Sequence, residues 1–193
     1  MDVLTVQLPA SAPLTDDQFY DLCRANPDLR IERNANGELI FMSPTEGETG
    51  HRNSEINADF VIWNRQTKLG KVFDSSTCFK LPNGADRSPD VAWVKQERWD
   101  ALTPKQKEKF PPIAPDFVLE LMSPSDTLET AQAKMQEYLE NGVKLGWLIN
   151  RRDWQVEIYR GQQAVEILSA PDSLSGEAVL PNFILNLQWF WDS

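Results

Sequence analysis

The stretch APDFVLELMSPSD, residues 114–126, decides the fold, because it is an apolar strand interrupted by one carboxylate, Glu120. Side chains along a strand alternate between faces, which sets Phe117, Leu119 and Leu121 on one side and Val118, Glu120 and Met122 on the other. Neither side is polar. An unpaired buried carboxylate costs several kcal/mol, so Glu120 must be protonated, paired with a cation, or placed at the rim of a site that uses it.

The sequence downstream explains how such a strand is covered. A helix over about Thr127 to Asn141, started by Ser125 or Asp126, leads into the apolar KLGWLIN. Strand, helix and strand with short joins form a βαβ unit whose two strands run parallel. WQVEIYR and AVEIL extend that sheet antiparallel, and LPNFILNLQWFW closes the chain. Upstream, TDDQFYDLCRANPD carries a capping box, Thr15 with Gln18, and forms a short helix; LRIERNANGELIFMSP alternates around the hairpin turn Asn36-Gly37. Residues 48–69 place Ile56, Phe60 and Trp63 at helical spacing, with Gly70 as a stop. KVFD, CFKL and PDVAWV follow as short strands. These elements predict one α/β domain spanning residues 1–193, with a mixed sheet and an irregular segment over about residues 1–14.

Composition narrows the chemistry. At 193 residues, 41% hydrophobic and 25% charged, the chain is of ordinary globular size and balance. No apolar run approaches the ~20 residues of a membrane helix, and the N-terminus lacks a basic start, so a cytoplasmic location is expected. One histidine, His51, and two cysteines without CxxC spacing exclude most imidazole or thiolate zinc sites. No GxSxG elbow, Walker A loop or GxGxxG fingerprint occurs. Carboxylates, lysines and an oxygen-loving metal remain. The net charge of −10 weighs against extended phosphate contacts, and the lysines at 105, 107 and 109 read first as a solvated face.

A partner for Glu120 must come from another strand, since Asp116, of the same parity, lies ~13 Å away along its own strand. Asp90, heading PDVAWV, is the candidate if that strand lies alongside. Two adjacent carboxylates raise one pKa or recruit a cation, and Mg²⁺ takes one or two carboxylates plus waters and phosphate oxygens. Lys134 lies beside the packing stripe of its helix, in line with Tyr138, where it can lean over the sheet or extend to solvent. Asp90 also reads as a turn cap, and Glu120 as half of a structural ion pair.

An aspartate, a glutamate and a lysine in this order are the constellation of the PD-(D/E)xK nucleases. RSPDVAWV, PPIAPDFVLELMSPSD and KMQEYLENGVKLGWLIN together resemble the Uma-type family of restriction-endonuclease-like proteins, from about residue 15 onward. The resemblance implies a restriction-endonuclease-like fold, a central mixed sheet flanked by helices, with Asp90 and Glu120 as ligands of Mg²⁺ (Mn²⁺ as substitute) and the Leu121 carbonyl as a third. It implies a metal-dependent endonuclease acting on nucleic acid, DNA foremost, and by analogy a homodimer. The family motif puts lysine at position 122, where this chain has Met122; Lys134, from the following helix, is the replacement candidate. Glu55 is the candidate for a further catalytic acid on the first long helix, with Asn53 or simple exposure as rival readings, and His51 reads as a surface residue. Two other functions stay open: a nuclease fold without catalysis serving as a binding or assembly module, with Trp189 to Trp191 at its interface, and a phosphoesterase for small nucleotides.

Overall fold

The computed structural model describes residues 4–9 and 11–191. The chain begins with β1 (Leu4–Val6) and helix α1 (Asp16–Ala25). The predicted capping box closes that helix: Gln18 N–H donates to Thr15 Oγ1 at 3.2 Å and Thr15 N–H donates to Gln18 Oε1 at 2.9 Å. The hairpin β2 (Arg30–Arg33) and β3 (Leu39–Met42) turns at Asn36-Gly37 as expected, and the long helix α2 (Gly47–Thr67) follows. Next come β4 (Gly70–Asp74), β5 (Phe79–Lys80), β6 (Asp86–Arg87) and β7 (Val91–Lys95). Two short helices, α3 (Gln96–Asp100) and α4 (Pro104–Glu108), lead to β8 (Phe117–Leu121), α5 (Leu128–Glu140) and β9 (Leu145–Asn150). Strands β10 (Gln155–Tyr159), β11 (Glu166–Ser169), β12 (Ser173–Ser175) and β13 (Ile184–Asn186) and helix α6 (Gln188–Trp191) complete the described chain.

The central sheet has the order β11-β10-β9-β8-β7-β4. Only β8 and β9 pair parallel, as a βαβ unit demands, and the other neighbours are antiparallel, so the sheet is mixed. Its two faces follow the alternation read from β8. Phe117, Leu119 and Leu121 join the core under α2 with Ile56, Phe60 and Trp63. Val118 and Met122 join the core under α5 with Met135 and Tyr138. A second sheet, β1-β3-β2-β6-β5, packs α1 through Phe19, Ile31 and Leu39 and borders the α5 side. Among the described residues no helix is long and apolar enough to cross a membrane.

Four local expectations are corrected. The irregular N-terminal segment includes β1, paired with β3 at Leu4↔Phe41, because the free edge of that hairpin accepts a strand. Helix α5 is capped by Thr127, whose Oγ1 accepts from Thr130 N–H at 3.2 Å; Asp126 is engaged instead by the amide of Ser123 at 2.7 Å. Helix α2 stops at Lys68, in the left-handed conformation with φ 56°, and Gly70 opens β4, where any Cβ would strike the Trp93 ring. The aromatic end of the chain is mostly core: Phe190 and Trp191 are buried in the α2-side cluster and Trp189 packs against it.

Candidate active site

Strand register brings the two predicted carboxylates together. Strands β7 and β8 pair at Val91↔Leu119, so Asp90, one residue before β7, lies across from Glu120 on the α5 side of the sheet. Asp90 is fixed from two directions: its Oδ2 accepts the Leu121 amide at 2.8 Å, and its Oδ1 accepts Asn53 Nδ2 at 3.0 Å. Asn53 comes from α2, so it is Asn53, not Glu55, that this helix contributes. Glu55 lies on another face of α2, exposed, lining a hollow with Asp59, Asn186, Gln188 and Trp189. A displacement of two residues along a helix turns the side chain by about 200°, which separates these neighbours. His51 is exposed, as expected.

Lys134 leans inward. Its Nζ lies 2.9 Å from Glu120 Oε1 and 3.0 Å from Glu32 Oε1. Tyr138, one helical turn further along α5, donates its hydroxyl to Glu120 Oε1 at 2.8 Å. Glu32, on β2, is clamped by Arg87 at 3.0 Å and by the Ser88 amide at 2.8 Å, and Arg87 in turn holds Glu137 at 2.6 Å. The side chains of Glu120 and Lys134 keep 14% and 16% of their exposure, against 2% for Glu32. That difference makes Glu120 and Lys134 the groups a ligand can reach, with Glu32 as the anchor behind them. Glu120 and Lys134 border a cavity of about 150 Å³ whose wall also includes Asp90, Asn53 and Ser123.

Sequence reasoning missed Glu32, Arg87, Glu137 and the hydroxyl of Tyr138. Tyr138 read as packing, which its ring does. Glu32 lies in a hairpin whose polar residues suited an exposed face, and only the docking of the second sheet against α5 buries it. The lysines at 105, 107 and 109 lie elsewhere, with Lys109 paired to Asp17 and Lys107 over the Trp99 ring.

The electrostatics follow from this crowding. Burial, the largest influence, with Asp90 and Glu32 adding repulsion against the pull of Lys134, raises the Glu120 carboxyl to about 7. Burial also raises Asp90, against the stabilising Leu121 amide. Burial would depress the Lys134 ammonium, but the Glu120 and Glu32 carboxylates together outweigh it and raise its pKa. Glu32 is held below its ordinary value, since Lys134, Arg87 and the Ser88 amide overcome its burial.

A divalent cation fits this set as a guest held in part by other ligands. Four carboxylates, Asp90, Glu120, Glu32 and Glu137, stand around two cations, Lys134 and Arg87, an acidic excess that a divalent ion would neutralise. Among the described residues no three histidine, cysteine or acidic side chains converge as a ready-made cage. Mg²⁺ needs no such cage, because it keeps waters and takes phosphate oxygens. The buried Oδ1 of Asn53 has no hydrogen-bond partner among the described residues, and the water shell of a cation would supply a donor. Asp90 and Glu120 are the side chains that would hold the ion, with the Leu121 backbone beside them.

A mixed sheet with helices on both faces, carrying two acids and a lysine at the β7–β8 junction, is the restriction-endonuclease-like architecture. The Uma2 family model, described as "Putative restriction endonuclease", matches residues 16–188, and the chain belongs to that family. It is similar in fold to a crystal structure of a "putative nuclease" belonging to DUF820 from Anabaena variabilis, with a TM-score of 0.76 and 21% identity over 93% of this chain and 98% of that one. Among curated proteins none matches.

Proposed function

We propose that this protein is a metal-dependent endonuclease that hydrolyses phosphodiester bonds of nucleic acid, with DNA as the first substrate to test. The observation that carries the reading is the ammonium of Lys134, 2.9 Å from Glu120, which is itself paired across two strands with Asp90. That arrangement supplies, from a helix, the lysine that Met122 does not provide. Family membership and the nuclease-like fold support the same reading.

A Mg²⁺ or Mn²⁺ ion held by Asp90 and Glu120 would supply Lewis-acid chemistry, polarising the phosphate and lowering the pKa of a water. The chain does the rest. Asp90, locked by Asn53 and the Leu121 amide, offers a carboxylate whose direction is set before any ligand arrives. Glu120 supplies the second carboxylate, and the Leu121 carbonyl is the third ligand candidate. Lys134 sets a positive charge beside the reacting phosphate, where charge grows as water adds to phosphorus and the ester P–O bond opens. Glu32, itself clamped by Arg87, holds Lys134 in place from behind. Tyr138, its pKa raised well above the ordinary value by burial and the neighbouring acids, stays a hydroxyl donor that orients Glu120.

The test is cleavage of supercoiled plasmid by the purified chain with Mg²⁺ or Mn²⁺, beside Glu120→Ala, Lys134→Ala and an EDTA control. Cutting that both substitutions and EDTA abolish is the expected result. A folded protein that cuts with neither ion overturns the proposal and favours the non-catalytic binding module.

A further inference from the structure

Behind the proposed active site lies a second cavity, of about 410 Å³, that the hydrolytic reading does not use. The two share Thr49, Leu121, Met122 and Ser123 as a common wall, so a chain leaving the phosphate site over the end of β8 enters the second space directly. Its far side is the β9–β10 turn, Arg151-Arg152-Asp153-Trp154.

That turn is built for a ligand with a flat face and a negative charge. Trp154 is 52% exposed although it is one of the largest apolar side chains, and it stacks on Trp191 with ring centroids 6.1 Å apart and planes 16° apart. Trp191 is itself held by its Nε1 donating to the Pro171 carbonyl at 3.0 Å. Trp154 sits in the left-handed region, φ 56°, an uncommon conformation for a bulky residue. Arg151 and Arg152 have no carboxylate partner among the described residues; Arg152 is braced by the Pro124 carbonyl at 2.8 Å. The one acid of the turn, Asp153, is engaged by Asn150 at 2.8 Å. In a chain of net charge −10, two arginines with no carboxylate partner among the described residues, next to an exposed tryptophan, are out of character with the surface.

We propose that Trp154, backed by Trp191 and flanked by Arg151 and Arg152, is a base-stacking subsite that takes an unpaired nucleotide adjoining the scissile phosphate, so that the preferred substrate is single-stranded or locally unpaired nucleic acid. This deepens the endonuclease reading and rests on it for the role of the adjoining phosphate. Bases inside a duplex already have both faces covered by stacking neighbours; only an unpaired base presents a face to Trp154. Aromatic platforms with arginines alongside bind single strands through any base. The cavity volume lies in the range of small-molecule sites, roughly 300–1,000 Å³, which suits one nucleotide.

The experiment is fluorescence anisotropy of a labelled oligothymidylate, and of a duplex of the same length, with the full chain in EDTA so that no turnover intervenes. The single strand should bind the tighter. Trp154→Ala should weaken single-strand binding at least about tenfold, Trp154→Phe should recover most of it, and duplex binding should change little in either. Arg151→Gln should flatten the salt dependence of single-strand affinity by roughly 0.7 in log–log slope. The melting temperature of Trp154→Phe, measured alongside, shows that the turn still folds. Parental affinity in Trp154→Ala, tighter duplex than single-strand binding, or no oligonucleotide binding by the parent each overturns the subsite. Plasmid cutting with unchanged binding in Trp154→Ala sinks the subsite alone, whereas Trp154-dependent binding without cutting by Mg²⁺ or Mn²⁺ sinks the hydrolytic reading alone.

Discussion

Glu120 shares its Oε1 between an ammonium and a phenol, and its carboxyl is still raised to about 7, because burial, with Asp90 and Glu32 adding repulsion, outweighs the pull of Lys134. Two consequences follow. Divalent-ion binding needs the ionised form, so Mn²⁺ affinity measured by calorimetry should fall as pH drops below about 7, and Glu120→Gln should bind the ion far more weakly at every pH. The stability effect has the opposite direction in metal-free protein. A carboxyl whose folded pKa lies above its unfolded value of 4.5 holds its proton more tightly when folded, so its contribution to stability is complete below 4.5 and lost as pH rises through about 7. Glu120→Gln should therefore be more stable than the parent at pH 8, by roughly 1–3 kcal/mol in urea denaturation, with the gap narrowing toward pH 5. Glu32 behaves differently, because its charge is matched. Glu32→Gln removes one partner from a buried network and leaves Arg87 and Lys134 undercompensated, so a loss of about 3 kcal/mol is expected.

At the scale of elements, helix α5 carries the lysine, and its distance from the sheet decides where Lys134 reaches. That distance is set in part by Gly146 on β9, where a Cβ would lie 2.5 Å from the terminal methyl of Met135. Gly146→Ala should be tolerated, because a methionine end swings aside readily. Gly146→Leu overfills the contact, costs about 1–3 kcal/mol, and lifts α5, so plasmid cutting should fall by more than stability does. Adding Met135→Ala to Gly146→Leu should restore cutting in part; no restoration would show that α5 placement is not the controlling variable. The same element explains what was legible in sequence. Lys134 could be placed on the helix edge from periodicity, but whether it reached inward or to solvent depended on Glu32 being there to receive it, and Glu32 comes from a different sheet.

At the scale of the molecule, the homodimer that the family resemblance implies is tested by sedimentation: a dimer is the expected species, and a monomer that cuts on its own would remove the need for one. Much was determined by the sequence itself. The alternation around Glu120, the βαβ spacing, the hairpin at Asn36-Gly37 and the capping box at Thr15 are local patterns, and local periodicity and turn chemistry need no tertiary information to be read. They led to the mixed sheet, and they offered Asp90 as the partner of Glu120 on the condition that its strand lay alongside. The tertiary structure decided the rest. Whether α2 offered Asn53 or Glu55 depended on the helix's rotation against the sheet, the burial of Glu32 on the docking of a second sheet, and the aromatic end's fate on the core it met. Those are contacts between elements distant in sequence, fixed by packing of the whole chain, and no local spacing carries them.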